Sequence, residues 1–520
     1  MAELKTRLIV GMEIHVQVRT ASKLFCACPV VYDAPPNSAV CPVCLGHPGT
    51  LPVMNRRAVE QAALVGLALN CTIAHFTKWD RKSYFYPDLP KNYQISQYDL
   101  PIARDGWFEF PDPNGAGSGA SRDGASPSGL SRVRIRRAHL EEDAGKNLHD
   151  RGDGSLIDLN RAGTPLIEIV TEPDLHTPGA CYAFAVELQR LMRHLGVSDG
   201  VMQRGQMRFE PNVNVAIECD GCEIRTPIAE IKNLNSFKAI RNAVEYEYGR
   251  QVAQWRGDPE YVIGRRPNEN RGWNDARGLT EYQRPKEAAH DYRYFPDPDL
   301  APATFDDAKL AAIRARLPEL PAARVRRLAE RFGLSAADAE TIVDDRATAD
   351  LFDESIRAGA PADVLARQVV NVWASLANEH GTTVAGLGVG AAAMAELAEM
   401  VRSGTVSATA AARIAAAMIP DADPAPTTVT PHVAAAEDRS PQALAAKLGL
   451  LQEKDADATQ AWVDEAFRLN EQAVRDARSN PKKAKQAAGF LRGQVMKLSE
   501  GRADPALVGE LIEKKLAEPT

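Results

Sequence analysis

No stretch of the 520-residue sequence approaches the roughly 20 consecutive apolar residues that a bilayer-spanning helix needs. The N-terminal Met1-Ala2-Glu3-Leu4-Lys5 also lacks the apolar segment of a signal peptide, so a cytoplasmic protein with no membrane partner is expected. An excess of positive charge is missing too. The formal net charge of -7 excludes a surface coated uniformly in cations, leaving nucleic acid only local basic patches to bind. There is no G-x4-G-K-[ST] phosphate loop: Gly145-Lys146 lacks the upstream glycine and the following hydroxyl, so any ATP chemistry must use a sheet-borne metal site. Equally absent are a G-x-S-x-G elbow, a cysteine behind the initiator Met (position 2 is Ala2) and a Gly/Ser-rich amidase stretch. Ammonia, if consumed, must come from another polypeptide.

What is present is ordinary in bulk and particular in pattern. Hydrophobic content of 44% and charged content of 25% fit a globular chain, and the length calls for two or three domains. Alternating strand-like runs, Gly/Pro turns and a helix from Asn55 to Asn70 fill the first part, interrupted by a Gly/Ser-rich insert from Asn114 to Gly129. After Asp297-Pro298-Asp299-Leu300 the chain turns Ala-, Leu- and Arg-rich, and the Pro-rich Ile419 to Pro426 breaks the helical pattern again. The expectation is an α+β domain over 1–299, an all-α domain over 300–410 and an all-α tail over 411–520. No solenoid repeat is visible.

Two alternating segments stand out. In Met12 to Val18, Glu13, His15 and Gln17 share one strand face while Met12, Ile14, Val16 and Val18 take the other. Met207 to Val215 repeats this with Arg208, Glu210, Asn212 and Asn214. Carboxylate and amide oxygens on a sheet suit a divalent metal and a phosphate-bearing ligand; a solvated antiparallel face would give the same alternation.

Cys26-Ala27-Cys28 and Cys41-Pro42-Val43-Cys44 place thiols at a spacing that suits tetrahedral zinc, the alternative being reduced, unligated cysteines. Cys219-Asp220-Gly221-Cys222 is a second, weaker pair, and Cys71 and Cys181 read as small core residues. Lys78 to Gln94 interleaves cations with aromatic rings, so Lys82 or Lys91 can meet a phosphate, or the loop is simply stiffened by proline. Arg132, Arg134 and Arg136 alternate along a strand that runs into His139-Leu140-Glu141-Glu142-Asp143. Arginines beside acids serve phosphoryl transfer, or pair on the surface. Further acids occur in Asp158 to Arg161 and Glu168 to Asp174, and Lys286 to Pro296 gathers Lys, His, Asp and Arg.

Taken together, Gly11 to Gln17, Ser22 to Cys26, Cys41 to Gly46, Arg81 to Lys91, Tyr93 to Asp99, His139 to Lys146, Glu230 to Ser236 and Asp291 to Pro296 resemble the B-subunit family of the bacterial aspartyl/glutamyl-tRNA(Asn/Gln) amidotransferase. The resemblance spans nearly the whole chain. Asn480-Pro481 and Leu491 to Lys497 are similar to the YqeY-like tail that closes such subunits. The resemblance implies an antiparallel-sheet cradle similar to glutamine synthetase, and ATP-dependent activation of the side-chain carboxylate of Glu or Asp mischarged on tRNA(Gln) or tRNA(Asn). Amidation follows, with ammonia from an amidase (glutaminase) A subunit in a heterotrimer completed by a small C subunit. It further implies Mg2+ on Glu13, His15, Glu141 and Glu210; nucleotide contacts from Arg134, Arg136, Lys91 and Lys232; Lys82 among the catalytic groups; and structural Zn2+ on Cys26, Cys28, Cys41 and Cys44. Lys482, Lys483, Lys485, Arg492 and Lys497 would meet the tRNA backbone. The family's usual Asp is replaced by Glu210, and its Met-Arg-Ser-Lys by Gln283-Arg284-Pro285-Lys286. The rival from another class is a zinc-stabilised tRNA-binding scaffold with structural carboxylates. An archaeal E-subunit relative would need an added domain, and no room for one exists between Arg265 and Asp297.

Overall fold

The computed structural model describes residues 5–112, 130–148, 154–219, 221–286, 292–420, 439–452, 456–479, 481–499 and 502–517. The Gly/Ser-rich insert and the pair His290 and Asp291 lie outside the described residues. Two compact units are formed, Met1–Ala322 and Ala323–Thr520.

The strands of the first unit are β1 (Thr6–Gln17), β2 (Thr72–Ile73), β3 (Phe76–Thr77), β4 (Asp80–Ser83), β5 (Tyr93–Ser96), β6 (Ala103–Pro111), β7 (Leu130–Glu142), β8 (Lys146–Leu148), β9 (Leu156–Asp158), β10 (Pro165–Thr171), β11 (Met207–Cys219), β12 (Cys222–Arg225), β13 (Ala229–Lys232), β14 (Glu269–Asn274), β15 (Leu279–Pro285), β16 (Phe295–Pro296) and β17 (Ala303–Thr304). Its helices are α1 (Arg56–Ala68), α2 (Pro178–His194), α3 (Phe237–Gly257) and α4 (Asp307–Arg314). The helix expected from Asn55 onward is α1, and the Asn55 side chain caps it by accepting from the backbone N–H groups of Arg57 and Ala58.

Ten strands make one sheet in the order β15-β14-β13-β11-β1-β10-β7-β6-β2, with β12 beside β11. The wholly antiparallel cradle needs correcting, because β13 and β14 run parallel while the other pairs of this sheet are antiparallel. A parallel pair needs a long crossover, and α3 lies in the connection between these two strands. Fold class is α+β.

The alternation in β1 decides which face is which. Met12, Ile14 and Val16 are buried in a core shared with Val65 and Leu69 of the α1 segment, Leu188 of α2 and Ile240 of α3. Glu13 and His15 are half-buried on the opposite face. β7 departs from simple alternation. Arg137 pairs with Val170 and Ile135 with Thr171, leaving Arg136 as an extra residue in the ladder to β10. This bulge lets Val133 and Ile135 before it, and Ala138 and Leu140 after it, all enter the core.

Among its described residues the second unit is helical: α5 (Pro321–Phe332), α6 (Ala336–Val343), α7 (Arg346–Arg357), α8 (Ala362–Gln368), α9 (Ala374–Glu379), α10 (Ala391–Arg402), α11 (Ala408–Met418), α12 (Pro441–Lys447), α13 (Ala456–Leu469), α14 (Glu471–Ser479), α15 (Pro481–Leu498) and α16 (Pro505–Ala517). The first core reaches past residue 299 to Ile313, a second runs from Leu328 to Leu450, past residue 410, and a third from Val463 to Ile512. No helix among the described residues is long and apolar enough to cross a membrane.

Candidate active site and metal-binding clusters

On the face of the sheet away from the core, ladder pairing brings distant residues side by side. Glu13 stands opposite Glu210, and His15 opposite both Arg208 of β11 and Glu168 of β10. Glu168 in turn faces His139 of β7, and Asn212 faces Glu230 of β13.

Two groups of ligand atoms result. In the first, His15, Glu141 and Glu168 offer atoms within 4.8 Å of one another; Glu13, Glu210 and Glu230 do the same in the second. The expected set of Glu13, His15, Glu141 and Glu210 is thus divided between the groups, and each is completed by an acid absent from that set. Glu168 has a signal in the sequence, as the single charged residue in Pro165–Thr171. Glu230 is flanked by Ala229 and Ile231 in the same manner.

In the first group the acids meet two imidazoles and one guanidinium, Arg137 lying 3.7 Å from Glu168. His15 Nε2 lies 3.5 Å from both Glu141 Oε1 and Glu168 Oε2. His139 Nε2 is 3.8 Å from Glu141 and 3.7 Å from Glu168. Burial, then the adjacent Glu168, pushes the Glu141 carboxyl up to about 7. For His15, burial opposes the charged form, yet the Glu168 hydrogen bond and the surrounding carboxylates raise the imidazole to about 9. Burial lowers His139 to about 4, helped by the charges of Arg137 and Lys82. Lys82 looks into this group. Although burial disfavours its charge, Glu141 and Glu168 hold its pKa above the ordinary value, and its ammonium lies 4.7 Å from the Tyr292 ring centroid. The neighbours of Lys82 on β4 anchor it: Asp80 accepts from Tyr98 N–H and pairs with Lys78, while Arg81 pairs with Asp297 at 2.7 Å and Asp299 at 3.0 Å.

In the second group lysines supply the counter-charge. Lys232 lies 2.5 Å from Glu210 and 3.1 Å from Glu230. Lys286 donates to Asn212 Oδ1 at 2.7 Å and lies 3.6 Å from Glu13 and 3.4 Å from Glu230. Against the cost of burial, the charges of Lys232 and His15 hold the Glu210 carboxyl at about 2. The sequence alone assigns no role to Lys286. Between the groups and the loops, buried Asp143 accepts from Gln17 Nε2 and from Arg208, each at 2.9 Å.

The donor sets suit metal. Buried Nδ1 of His15 and of His139 have no hydrogen-bond partner, while the unpartnered Nε–H of Arg208 is a cationic donor that suits an anion beside the metal. A divalent ion would offset the repulsion between Glu141 and Glu168, and the all-oxygen second group suits a hard cation.

Other expected contacts fall elsewhere. Lys91 pairs with Glu142, which also accepts from Ile95 N–H at 2.9 Å. Arg134 precedes the bulge and Arg136 is its extra residue; both are exposed, each forked onto an acid: Arg134 on Asp174 at 2.8 and 2.7 Å, Arg136 on Glu172 at 2.8 and 2.9 Å. In the second unit Arg492 and Lys497 lie on α15, with the Arg492 guanidinium filling the space beside Gly509 of α16. Lys482, Lys483 and Lys485 are on the same helix, their side chains outside the described residues.

Cys26, Cys28, Cys41 and Cys44 converge, their sulfurs all within 4.8 Å of one another. The turn is closed by Cys41 N–H donating to Cys44 Sγ at 3.1 Å and Leu45 N–H to Cys41 O at 3.0 Å. Gly46 follows with a φ of 69°, and a Cβ there would meet Lys91 Cγ at 2.5 Å, so glycine is required by both backbone and space. A hydrogen bond with Cys26 lowers the Cys44 thiol to about 4 even against burial, with the Lys23 charge adding to the effect. Cys219 and Cys222 face each other across the β11–β12 hairpin and belong to no metal group among the described residues.

A family described as the GatB/GatE catalytic domain matches residues 8–311, and one described as the GatB domain matches residues 350–516. The B subunit of the aspartyl/glutamyl-tRNA(Asn/Gln) amidotransferase of Thermomicrobium roseum is 42% identical over 521 residues, spanning 98% of this chain and 99% of its own. Proteins of the same name from Thermosynechococcus vestitus and Caldanaerobacter subterraneus are 41% and 39% identical, each over 99% of this chain and 97% and 100% of their own lengths. With both halves of the chain matched and relatives aligned end to end, the protein belongs to the B-subunit family of the aspartyl/glutamyl-tRNA(Asn/Gln) amidotransferases.

Proposed function

We propose that this chain is the kinase and transamidase subunit of a tRNA-dependent amidotransferase. It works in the cytoplasm, in a heterotrimer with an amidase A subunit and a small C subunit. Its substrates are Glu-tRNA(Gln), Asp-tRNA(Asn) or both, together with ATP and ammonia delivered by the amidase. The sheet serves as a cradle of the glutamine-synthetase kind, residues 300–410 as a helical connector and 411–520 as the tRNA-gripping tail. The observation that supports this reading is the convergence of two acid groups on one face of the large sheet, from β1, β7, β10, β11 and β13, with Lys82 from β4 of a separate three-stranded sheet close enough to feel Glu141 and Glu168.

Magnesium, held by residues of these two groups, supplies charge neutralisation for the transferring phosphoryl oxygens when bound. The rest falls to side chains. A side-chain carboxylate oxygen of the aminoacyl group attacks the terminal phosphorus of ATP, giving an acyl phosphate and ADP. Ammonia then adds to the acyl carbon, the bond to phosphate breaks, and a proton leaves the nitrogen. Lys82 and Arg208, both charged and half-buried, stabilise the negative charge that moves onto these oxygens. Lys232 and Lys286 keep Glu13, Glu210 and Glu230 fixed in place. Arg134, Arg136 and Lys91 border the nucleotide in this reading, and the cations of α15 meet the tRNA backbone. Zinc on the four clustered cysteines has a structural part, bracing the turn on which Lys91 packs.

The test is ATP turnover dependent on mischarged tRNA, measured on the purified complex. Loss of turnover in Glu13→Ala and His15→Ala with tRNA binding intact supports the enzyme; unchanged turnover supports the scaffold. Metal analysis of the protein with and without Cys41→Ser checks zinc.

A further inference from the structure

Lys23 is fully buried, yet its ammonium meets a thiol instead of a carboxylate. Its Nζ lies 3.7 Å from Cys44 Sγ and 3.4 Å from the carbonyl oxygen of Leu159. No carboxylate pairs with it among the described residues. An ammonium taken out of water without a counter-charge is strongly unfavourable, so the compensation has to come from sulfur.

The backbone around Lys23 is tied into the same turn. Its N–H donates to the carbonyl of Cys28 at 2.9 Å, and its own carbonyl accepts from Asn55 Nδ2 at 3.3 Å. The next N–H, of Leu24, donates to Gly163 O at 2.8 Å. Gly163 has a φ of +82°, and a Cβ there would lie 3.5 Å from Lys23 Cδ, 3.7 Å from Cys44 Cβ and 3.9 Å from Oε2 of Glu142, a carboxylate that pairs with Lys91 and makes no ion pair with Lys23. Lysine stem and cysteine therefore line one close-packed wall.

We propose that Lys23 is the charge partner of the cysteine cluster. Its ammonium donates to the Cys44 thiolate and offsets the surplus negative charge that four thiolates leave around a divalent ion such as zinc. It is a positioning residue for the metal, with no part in binding ATP or tRNA. This rests on reading the four cysteines as a metal site, and the experiment separates the two ideas.

Zinc affinity is measured by competition with a chromogenic chelator on the full chain, for wild type, Lys23→Met and Lys23→Arg. Thermal melting of each is followed zinc-loaded and zinc-stripped. Lys23→Met is expected to weaken zinc about 10- to 100-fold, the usual effect of losing an outer partner of a metal ligand, with Lys23→Arg recovering part of it. Lys23→Met should also lower the melting temperature of the loaded protein more than that of the stripped one, in which no set of four metal-bound thiolates surrounds the ammonium. Unchanged zinc affinity in Lys23→Met, or an equal melting loss in both states, overturns the proposal. Wild type that holds no zinc removes the metal reading and the proposal with it. Should Lys23→Met fail to fold, the cobalt-loaded Lys23→Arg protein decides: a displaced thiolate-to-metal absorption band supports the assignment and an unchanged band counts against it.

Discussion

His15 and Glu13 lie two positions apart on one strand, yet the two ligand groups they join handle charge in opposite ways. Around His15 the acids have two imidazoles, the more distant Lys82 and one guanidinium, Arg137, which lies 3.7 Å from Glu168, while Glu141 has no lysine or arginine that close among the described residues and holds its proton up to about 7. Around Glu13 two lysines are already paired with the acids, and Glu210 is held at about 2. The first group therefore gains most from a metal ion. A metal entering the second has to displace or share a lysine. Clusters that look alike by ligand count differ in how much a cation is needed, and the neighbours across the ladder set that difference.

The sharpest way to break this comparison is substitution of the two β1 ligands. His15→Ala should lower tRNA-dependent ATP turnover by more than about 100-fold, beyond what loss of an outer partner costs, while Glu13→Ala falls less because Lys286 remains near Glu230. Equal losses would erase the distinction. Next in size is Lys232→Met, which leaves Glu210 and Glu230 facing each other. Breaking this partly buried pair is expected to cost about 1–3 kcal/mol in denaturant unfolding, between an exposed and a fully buried pair, and to tighten divalent-metal binding at the second group. An unchanged metal affinity would show that the lysine does not compete.

Acidity gives a smaller and cleaner contrast. A metal binding the first group must displace the proton of Glu141 below about pH 7 and that of His15 below about pH 9, so affinity there rises with pH. Manganese titrations of Glu13→Ala, which keeps the first group, should tighten by about 50-fold between pH 6 and 7, roughly tenfold from His15 and fivefold from Glu141. His15→Ala, which keeps the second group, should change less, because Glu210 is ionised across that range. Equal slopes would contradict the charge assignment. The smallest effect belongs to the exposed forks: Arg134→Ala is expected to change stability by about 0–1 kcal/mol in thermal or denaturant unfolding, since solvent screens its pairing with Asp174. Any larger loss of nucleotide affinity than of stability in that variant would favour the ATP contact proposed for it.

The ease of reading these features from the chain depended on how local they are. The cysteine turn was legible because spacing alone brings Cys41 and Cys44 together, and the tight return through Gly46 needs glycine for reasons visible in the residue itself. The polar face of β1 was equally legible, since period-two alternation with buried Met12, Ile14 and Val16 leaves Glu13 and His15 one way to point. Which acids would join them was not. Glu168 and Glu230 sit in strands whose partners are fixed by register, and neither spacing nor composition states a register. The bulge at Arg136 shows the same limit. Alternation placed Arg132, Arg134 and Arg136 on one face and Arg137, His139 and Glu141 on the other, but the pairing with β10 makes Arg136 an extra residue and returns Arg137, His139 and Glu141 to the face of Arg132 and Arg134.

The sequence by itself determined the polar and apolar sides of each strand, the helix cap at Asn55 and the thiol turn, because these follow from bonds and neighbours a few residues away. Tertiary structure alone decided the division of acids into two groups, the lysines that neutralise one of them, the parallel β13–β14 pair and the burial of Lys23 against Cys44. Those depend on electrostatic and packing contacts between segments whose separation along the chain carries no information about their distance in space.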